Sequence, residues 1–207
     1  MTHVDALRDK AVTAELRDRL DGAVGAHLRD RLVAAAHREG LLDVAYRTVD
    51  SPVGPLLLAA TSAGLVRVAF DLEGQDAVLA ELATLVSPRI LAAPARLDAV
   101  ARQVDEYFAG TRHDFDVPLD FRLSKGFRRS VLEHLVDIPY GRTESYAQVA
   151  TAAGSPKAVR AVGTACATNP IPLVVPCHRV VRSNGSFGGY RGGEDAKRLL
   201  LTMEAAA

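Results

Sequence analysis

A cysteine and a histidine stand side by side as Cys177 and His178, within the tetrapeptide Pro-Cys-His-Arg at 176–179. The chain has two cysteines, and this one follows the apolar run Leu-Val-Val at 173–175. A cysteine reacts as its thiolate, so a nucleophilic cysteine needs a nearby base and a group that orients the base. His178 is the candidate base. Spacing alone is equally compatible with a nucleophilic cysteine and with a buried structural cysteine.

Ordered blocks of polar and small residues flank this pair. Upstream lie Tyr-Gly-Arg-Thr-Glu-Ser-Tyr from residue 140 and Pro-Lys-Ala-Val-Arg-Ala-Val-Gly from residue 156, and downstream lie Gly-Gly-Tyr-Arg-Gly-Gly from residue 188 and a final helix with Glu204. Ser-Pro-Val-Gly-Pro-Leu begins at residue 51 and Thr-Ser-Ala-Gly-Leu at residue 61. Together with Pro-Cys-His-Arg-Val at 176–180, these blocks resemble the O6-alkylguanine-DNA alkyltransferases. The resemblance covers residues 44–207, and its ordered spacing makes it specific.

The resemblance implies direct-reversal DNA repair. Cys177 would irreversibly take the alkyl group of O6-alkylguanine, and of O4-alkylthymine, so that each chain acts once. His178 would take the thiol proton through a water molecule, Glu204 would orient His178, and Asn169 would brace the active-site turn. Neither a metal nor an organic cofactor is expected, because the sequence has no zinc-spaced Cys/His cluster and no phosphate-binding glycine loop. The second cysteine, Cys166, is expected in the core.

The resemblance also implies double-stranded DNA carrying O6-alkylguanine as the partner of a monomer. The helix predicted over 156–168 would enter the minor groove, Arg160 would fill the space of a flipped-out damaged nucleotide, and Tyr146 would contact that nucleotide. The candidates for DNA binding are Ser145, Tyr146, Ala158, Arg160, Ala161 and Gly163. The candidates for the alkyl pocket are Cys177, Val180, Tyr190 and Arg191.

Three other functions would explain part of the pattern. An alkyltransferase-like recognition protein binds the damaged base but lacks the acceptor cysteine, so Cys177 argues against it. A Cys–His hydrolase needs an oxyanion hole and leaves the DNA-binding pattern unexplained. A transcriptional regulator needs base-reading side chains, whereas the alanines, valines and glycine of residues 158–163 suit shape recognition better. The recognition protein and the regulator remain the alternatives.

Composition and charge distribution restrict the class of protein. Hydrophobic residues make up 48% of the 207 residues, which is ample for a core. The sequence has no secretory segment and no membrane-length apolar run, so we expect a cytoplasmic protein without membrane association. The net charge is zero, yet residues 1–120 carry 13 Lys/Arg against 19 Asp/Glu, and residues 121–207 carry 12 against 6. The basic half contains the motifs, as expected of a nucleic-acid-binding domain.

Hydrophobic periodicity predicts a helical extension followed by an α/β domain. Residues 1–43 are predicted to form one helix, or two that break near Gly22 and Gly25, and their role is open between packing and partner binding. Residues 44–118 are predicted to form an α/β domain, which the resemblance implies to be RNase H-like. Its predicted strands cover 44–50, 54–61, 64–71 and 115–119, and its predicted helices cover 76–86 and 97–108.

Residues 119–207 are predicted to form a mainly helical, winged helix-turn-helix domain. Its predicted helices cover 124–136, 145–153, 156–168 and 194–204. The sequence Gly-Ser-Pro at 154–156 predicts a tight turn, with Gly154 ending one helix, Ser155 capping the next and proline in its first turn. An Asn-Gly pair at 184–185 predicts a hairpin over 180–187, which would form the wing. This combination on the basic half indicates a DNA-binding module on physical grounds as well.

Overall fold

The structure, a computed structural model, describes residues 25, 27–28, 31–36 and 38–205. The described residues from Asp43 onward form one compact unit, and those before it belong to another. In that first unit, residues 25, 27–28, 31–36 and 38 are helical. Most of the predicted extension over 1–43, including its predicted break at Gly22, lies outside the described residues. None of the helices in the described part of the chain combines the length and apolarity needed to span a bilayer.

A four-stranded sheet in the order β3-β2-β1-β4 forms the centre of the α/β half. Strands β1 (Val44–Val49), β2 (Leu56–Thr61) and β3 (Gly64–Phe70) make an antiparallel meander, which confirms the prediction from β-rich runs between turn signals. Strand β4 (Ile90–Ala92) pairs parallel to β1. The sequence did not predict β4, because three residues are too few to display an alternating pattern.

Two helices accompany this sheet, and both agree with the predictions to within a few residues. They are α1 (Gln75–Leu85) and α2 (Asp98–Phe108), and a 3-10 turn (Pro94–Leu97) precedes α2. Val78 and Leu82 of α1 belong to a buried apolar cluster with sheet residues. The sheet members of that cluster are Val44, Leu57, Ala59, Val66 and Ala69. The three- and four-residue spacing that predicted α1 is therefore the spacing of its buried face.

The strand predicted over 115–119 is wrong. Only Leu119 makes a β-bridge, with Leu65. The Leu65 amide donates to the Pro118 carbonyl, and the Asp120 amide donates to the Leu65 carbonyl, both at 2.8 Å. Pro118 has no amide hydrogen to donate and restricts the residue before it, so the ladder does not extend.

The second half is mainly helical. Its elements are α3 (Phe127–Val136), β5 (Glu144–Ser145), α4 (Tyr146–Ala152), α5 (Val159–Ala167), β6 (Val180–Val181) and α6 (Gly193–Ala205). Helices α3, α4 and α5 pack against one another. Ser145 caps α4: its hydroxyl accepts from the Gln148 amide, and the Gln148 side chain accepts from the Ser145 amide.

The turn between α4 and α5 differs in detail from the prediction. Gly154 has φ +79° and follows the end of α4, as predicted. Helix α5, however, begins at Val159 rather than Pro156, because the Ala158 amide donates to the Ser155 carbonyl at 2.9 Å in an intervening turn. The predicted cap by Ser155 is therefore wrong, since the N-cap position belongs to Ala158, which makes no side-chain cap.

The wing is short. Strand β6 pairs parallel with β5, and the returning chain makes one antiparallel bridge between Val181 and Phe187. The turn between them contains Gly185 at φ +79°, a conformation that glycine adopts without strain. An α/β half followed by a helical half with a helix-turn-helix and a wing confirms the predicted fold class.

Candidate active site

Cys177 begins a 3-10 turn (Cys177–Arg179) that leads into β6, and it is 2% exposed. Asn169, which is fully buried, holds the sulfur: its Nδ2 donates to Sγ at 3.2 Å and to the Val175 carbonyl at 2.8 Å. Its Oδ1 accepts from the Ile171 amide at 3.0 Å. The two ends of one amide side chain therefore connect the sulfur atom to the backbone of the turn before it.

Burial raises the pKa of the Cys177 thiol, and the hydrogen bond from Asn169 offsets part of that rise. The resting group at neutral pH is therefore a thiol, and it needs a base before it can attack. Lys197 is also buried, and its Nζ donates to the Val180 carbonyl at 2.7 Å while burial lowers its pKa. Cys166 lies in the core, as predicted, and burial raises the pKa of its thiol.

His178 is fully buried, and its Nε2 lies 2.9 Å from Oε1 of Glu204. An ionised carboxylate only accepts hydrogen bonds, so Nε2 carries the proton of the neutral ring and Nδ1 keeps its lone pair. Nδ1 is buried and has no hydrogen-bond partner among the described residues. Burial lowers the pKa of His178 although Glu204 acts in the opposite direction, so the ring is a neutral base at pH 7.

Glu204, near the end of α6, accepts hydrogen bonds from three further residues. Tyr107 donates its hydroxyl to Oε1 at 2.6 Å, and the Gly141 amide donates to Oε2 at 3.3 Å. Arg179 binds both oxygens, from Nε to Oε2 and from Nη2 to Oε1, each at 2.9 Å. Burial by itself would raise the pKa of Glu204, but hydrogen bonds from His178, Arg179 and Tyr107 outweigh it and lower the pKa to about 2. The carboxylate is therefore an anion at neutral pH.

Two of these partners, Tyr107 and Arg179, were not predicted from the sequence. Arg179 lies within the recognised tetrapeptide, and an arginine next to an apolar run is itself a signal, because a buried guanidinium requires an anion. It is 5% exposed, and its Nη1 also donates to the Ile138 carbonyl at 2.6 Å. Tyr107 lies in α2, in the other half of the chain, and no local pattern connects it with Glu204. Only the packing of the two halves brings this hydroxyl to the carboxylate.

The candidates for DNA binding lie at the starts of α4 and α5, except Gly163, which lies in the middle of α5. Arg160 is exposed in the first turn of α5. The residues partly exposed around it are Ala158, Ala161 and Gly163. Tyr146, the first residue of α4, is half-buried with its hydroxyl against Gly188, and Ser145 uses its side chain to cap α4. Small side chains therefore leave the backbone of α5 accessible beside one exposed guanidinium.

An open cleft of about 740 Å³ borders the wing and the loop that follows it. Its lining residues are Arg182, Gly185, Ser186, Phe187, Gly188, Gly189, Tyr190 and Glu194. Among the pocket candidates, Tyr190 lines this cleft and also packs edge to face on His178, with ring centroids 6.1 Å apart. Val180 is fully buried, and the side chain of Arg191 forms an ion pair with Glu73. The structure therefore brings Tyr190 to both the cleft and the base, and directs the charge of Arg191 to the α/β half.

A helix-turn-helix half that carries a buried Cys–Asn–His–Glu cluster is typical of a DNA-binding protein with a nucleophilic cysteine. Comparisons with known proteins identify its family. The family models 6-O-methylguanine DNA methyltransferase, ribonuclease-like domain, and 6-O-methylguanine DNA methyltransferase, DNA binding domain, match residues 44–121 and 126–206. The chain belongs to this family, which confirms the resemblance found in the sequence.

Curated relatives and solved structures agree with this assignment. The methylated-DNA–protein-cysteine methyltransferase of Mycobacterium tuberculosis is 41% identical over 161 residues, which cover 78% of this chain and 92% of the relative. The protein of that name from Methanosarcina barkeri is 37% identical over 159 residues, covering 77% and 96%. The crystal structure of Mycobacterium tuberculosis OGT in complex with DNA superposes with a TM-score of 0.69 at 38% identity, covering 78% of this chain and 93% of that one.

Proposed function

We propose that this protein repairs DNA by direct reversal, with Cys177 taking the alkyl group of O6-alkylguanine, and of O4-alkylthymine, in one irreversible turnover. One observation carries the proposal: Sγ of Cys177 is held by Asn169, and the adjacent neutral His178 is held by anionic Glu204. Membership of the family supports the same reaction, since the mycobacterial and archaeal relatives bear the name methylated-DNA–protein-cysteine methyltransferase.

In the proposed step, Sγ attacks the alkyl carbon in line with the bond to O6. The carbon–sulfur bond forms while the carbon–oxygen bond breaks, and the bonding electrons of the broken bond leave with guanine. His178 takes the thiol proton at Nδ1 through a water molecule, because adjacent side chains rarely hydrogen-bond directly. Glu204 stabilises the imidazolium that forms, and the proton then passes to the guanine, which is restored within the DNA. The thioether left on Cys177 resists hydrolysis, so each chain acts once.

The partner in this proposal is a DNA duplex bound through its minor groove, with the damaged nucleotide flipped out. Flipping is required because a protein nucleophile cannot reach the O6 substituent within a base stack. The small residues at the start of α5 support a close approach of that helix, and exposed Arg160 is available to fill the vacated space. Tyr146 would contact the flipped nucleotide. We propose that the protein acts as a monomer in the cytoplasm, where both of its free cysteines stay reduced.

A non-catalytic recognition protein and a DNA-binding regulator are not favoured. A recognition protein has no use for a buried thiol with a base and a carboxylate in support. The burial of charged Glu204 and Arg179 costs desolvation that binding alone does not require. A regulator would need base-reading side chains at the start of α5, where Arg160 is flanked by alanine and valine.

The test is the intact mass of the protein after incubation with a duplex that contains one O6-methylguanine, followed by peptide mapping. The expected result is a gain of one methylene mass on Cys177 that saturates at one per chain. A lesion-binding protein that gains no mass would contradict alkyl transfer. An adduct on Cys166 would assign the chemistry to the other cysteine.

A further inference from the structure

A buried carboxylate of the α/β half forms ion pairs with two arginines, one beside the turn that holds Cys177 and one in the loop that carries Tyr190. Glu73 ends a 3-10 turn (Asp71–Glu73) directly after β3, and its side chain is 9% exposed. Its Oε2 accepts from Nη2 of Arg67 and from Nε of Arg191, both at 2.5 Å. Its Oε1 accepts from the Phe70 amide at 3.0 Å. No sequence pattern indicated a role for Glu73.

The first arginine, Arg67, contacts the turn that holds the sulfur atom of Cys177. Its side chain is 2% exposed, and its Nη1 donates to the Pro170 carbonyl at 3.3 Å and to the Val68 carbonyl at 2.7 Å. The Val68 amide also donates to the Pro170 carbonyl, at 2.9 Å. Pro170 follows Asn169, whose side chain donates to Cys177. Glu73 thus neutralises the guanidinium that lies behind this turn.

The second arginine, Arg191, lies in the loop beside the cleft. It follows Tyr190, whose ring packs edge to face on Phe70 at 5.5 Å and on His178 at 6.1 Å. It precedes Gly192, where an added Cβ would come within 2.6 Å of the Phe70 ring, so the loop backbone lies directly on that ring. The ion pair with Glu73 therefore fixes the segment that carries Tyr190.

We infer that Glu73 is a positioning residue for alkyl transfer: one carboxylate holds both the Asn169 turn and the Tyr190 loop around Cys177. The inference rests on the proposed function. Without the carboxylate, two guanidinium groups would face each other with little water between them, which is strongly unfavourable. Arg67 is enclosed, whereas the side chain of Arg191 is 27% exposed. The Arg191 loop is therefore the part that would move, and Tyr190 would move with it.

The test uses the single-turnover reaction of the full chain with a saturating duplex that contains one O6-methylguanine. Four variants are compared with the unmodified protein: Glu73→Gln, Arg191→Gln, the double variant, and Glu106→Gln as the matched control. Glu106 binds Nε of Arg112 at 2.6 Å, and the side chain of Arg112 is 27% exposed, like that of Arg191. Among the described residues, the hydrogen bonds and ion pairs of this pair include none to Cys177, His178 or Glu204. The amplitude reports the folded fraction, and the rate constant reports positioning in the folded molecules.

The expected result is a rate constant lowered about tenfold or more by Glu73→Gln and by Arg191→Gln, since small displacements of reacting groups cost this much. The double variant should be no slower than Glu73→Gln alone, because the ion pair of Arg191 with Glu73 is already broken in that variant. All four variants should bind duplex DNA with unchanged affinity. The rate constant of the control, Glu106→Gln, should also be unchanged.

Any of three results would overturn the inference. If Glu73→Gln lowers only the amplitude, Glu73 serves the fold alone. If Arg191→Gln keeps the normal rate constant, or the two single effects multiply, the residues do not act as a pair. In all three cases the unmodified protein still transfers the methyl group. An unmodified protein that transfers none would overturn the proposed function, and the inference with it.

Discussion

Three neighbouring side chains are held in different protonation states by their surroundings. Burial raises the pKa of the Cys177 thiol, so it keeps its proton at neutral pH. Burial lowers the pKa of His178, so that ring is neutral. Glu204, with a pKa lowered to about 2 by its hydrogen-bond donors, is an anion. A protonated nucleophile, a neutral base and a fixed anion are the starting states that proton removal from a buried thiol requires.

Replacing Glu204 by glutamine tests this arrangement. Glutamine can still accept from Nε2, but it lacks the charge that stabilises the imidazolium, so we expect alkyl transfer to slow by roughly tenfold or more. The change also leaves Arg179 buried without an anion, which should lower the free energy of unfolding by about 3 to 5 kcal/mol. Single-turnover kinetics and urea denaturation measure the two effects.

DNA affinity of Glu204→Gln should be retained, and Glu133→Gln, which breaks an exposed ion pair with Arg129, serves as the control. Unchanged transfer would remove Glu204 from the mechanism.

The same carboxylate should make stability depend on pH within a defined window. Its pKa falls from 4.5 in the unfolded chain to about 2 in the fold. A lowered pKa contributes stability that is complete above pH 4.5 and is lost as the pH falls towards 2. The difference in unfolding free energy between the natural protein and Glu204→Gln, on the order of 3 kcal/mol from this shift, should therefore shrink over that range. Denaturation curves between pH 2 and 7 measure it, and a difference that does not change with pH would contradict the assignment.

Among the elements, α5 is the one that the proposal places against DNA, and Arg160 is its exposed cation. We expect Arg160→Ala to slow repair of a duplex by about tenfold or more, because the vacated space in the stack would lose its filler. Reaction with free O6-methylguanine base, which needs no flipping, should keep its rate. Lys157→Ala is the matched control, since it removes a neighbouring exposed charge without a proposed role in the stack. Equal losses on duplex and free base, or equal losses for both variants, would contradict the flipping role.

The elements also reveal what sequence patterns can and cannot predict. The meander, α1 and α2 followed from local periodicity, because each buries a face whose spacing is visible in the sequence. The strand over 115–119 failed because Pro118 interrupts the ladder, and β4 was missed because its three residues are too few to display an alternating pattern. The cysteine, histidine and glutamate of the site followed from ordered motifs. Tyr107 and Glu73 did not, because their contacts depend on how the halves pack.

At the scale of the whole molecule, the α/β half supports a site whose chemical groups belong to the helical half. Tyr107 of α2 donates to Glu204, and the Val68 amide of β3 donates to the Pro170 carbonyl. The ring of Phe70 packs on Tyr190. The excess of basic residues lies after residue 120, in the half proposed to contact DNA. The acidic half supplies hydrogen bonds and packing to the site. Contacts from both halves therefore build the site.

Replacing two tyrosines beside Arg179 and Glu204 measures how much the α/β half stabilises the Glu204 carboxylate. The Tyr107 hydroxyl donates to the Glu204 carboxylate at 2.6 Å, whereas the Tyr140 hydroxyl is buried and has no hydrogen-bond partner among the residues that the structure describes. Tyr107→Phe should lower the free energy of unfolding by about 2 kcal/mol, as expected for a hydrogen bond to a charged group. Tyr140→Phe removes the same atom from a site without a partner, so stability should stay the same or rise. Urea denaturation of both variants measures the difference. Equal effects would mean that the hydroxyl of α2 adds nothing to the hold on Glu204, and that the α/β half acts on the site through packing alone.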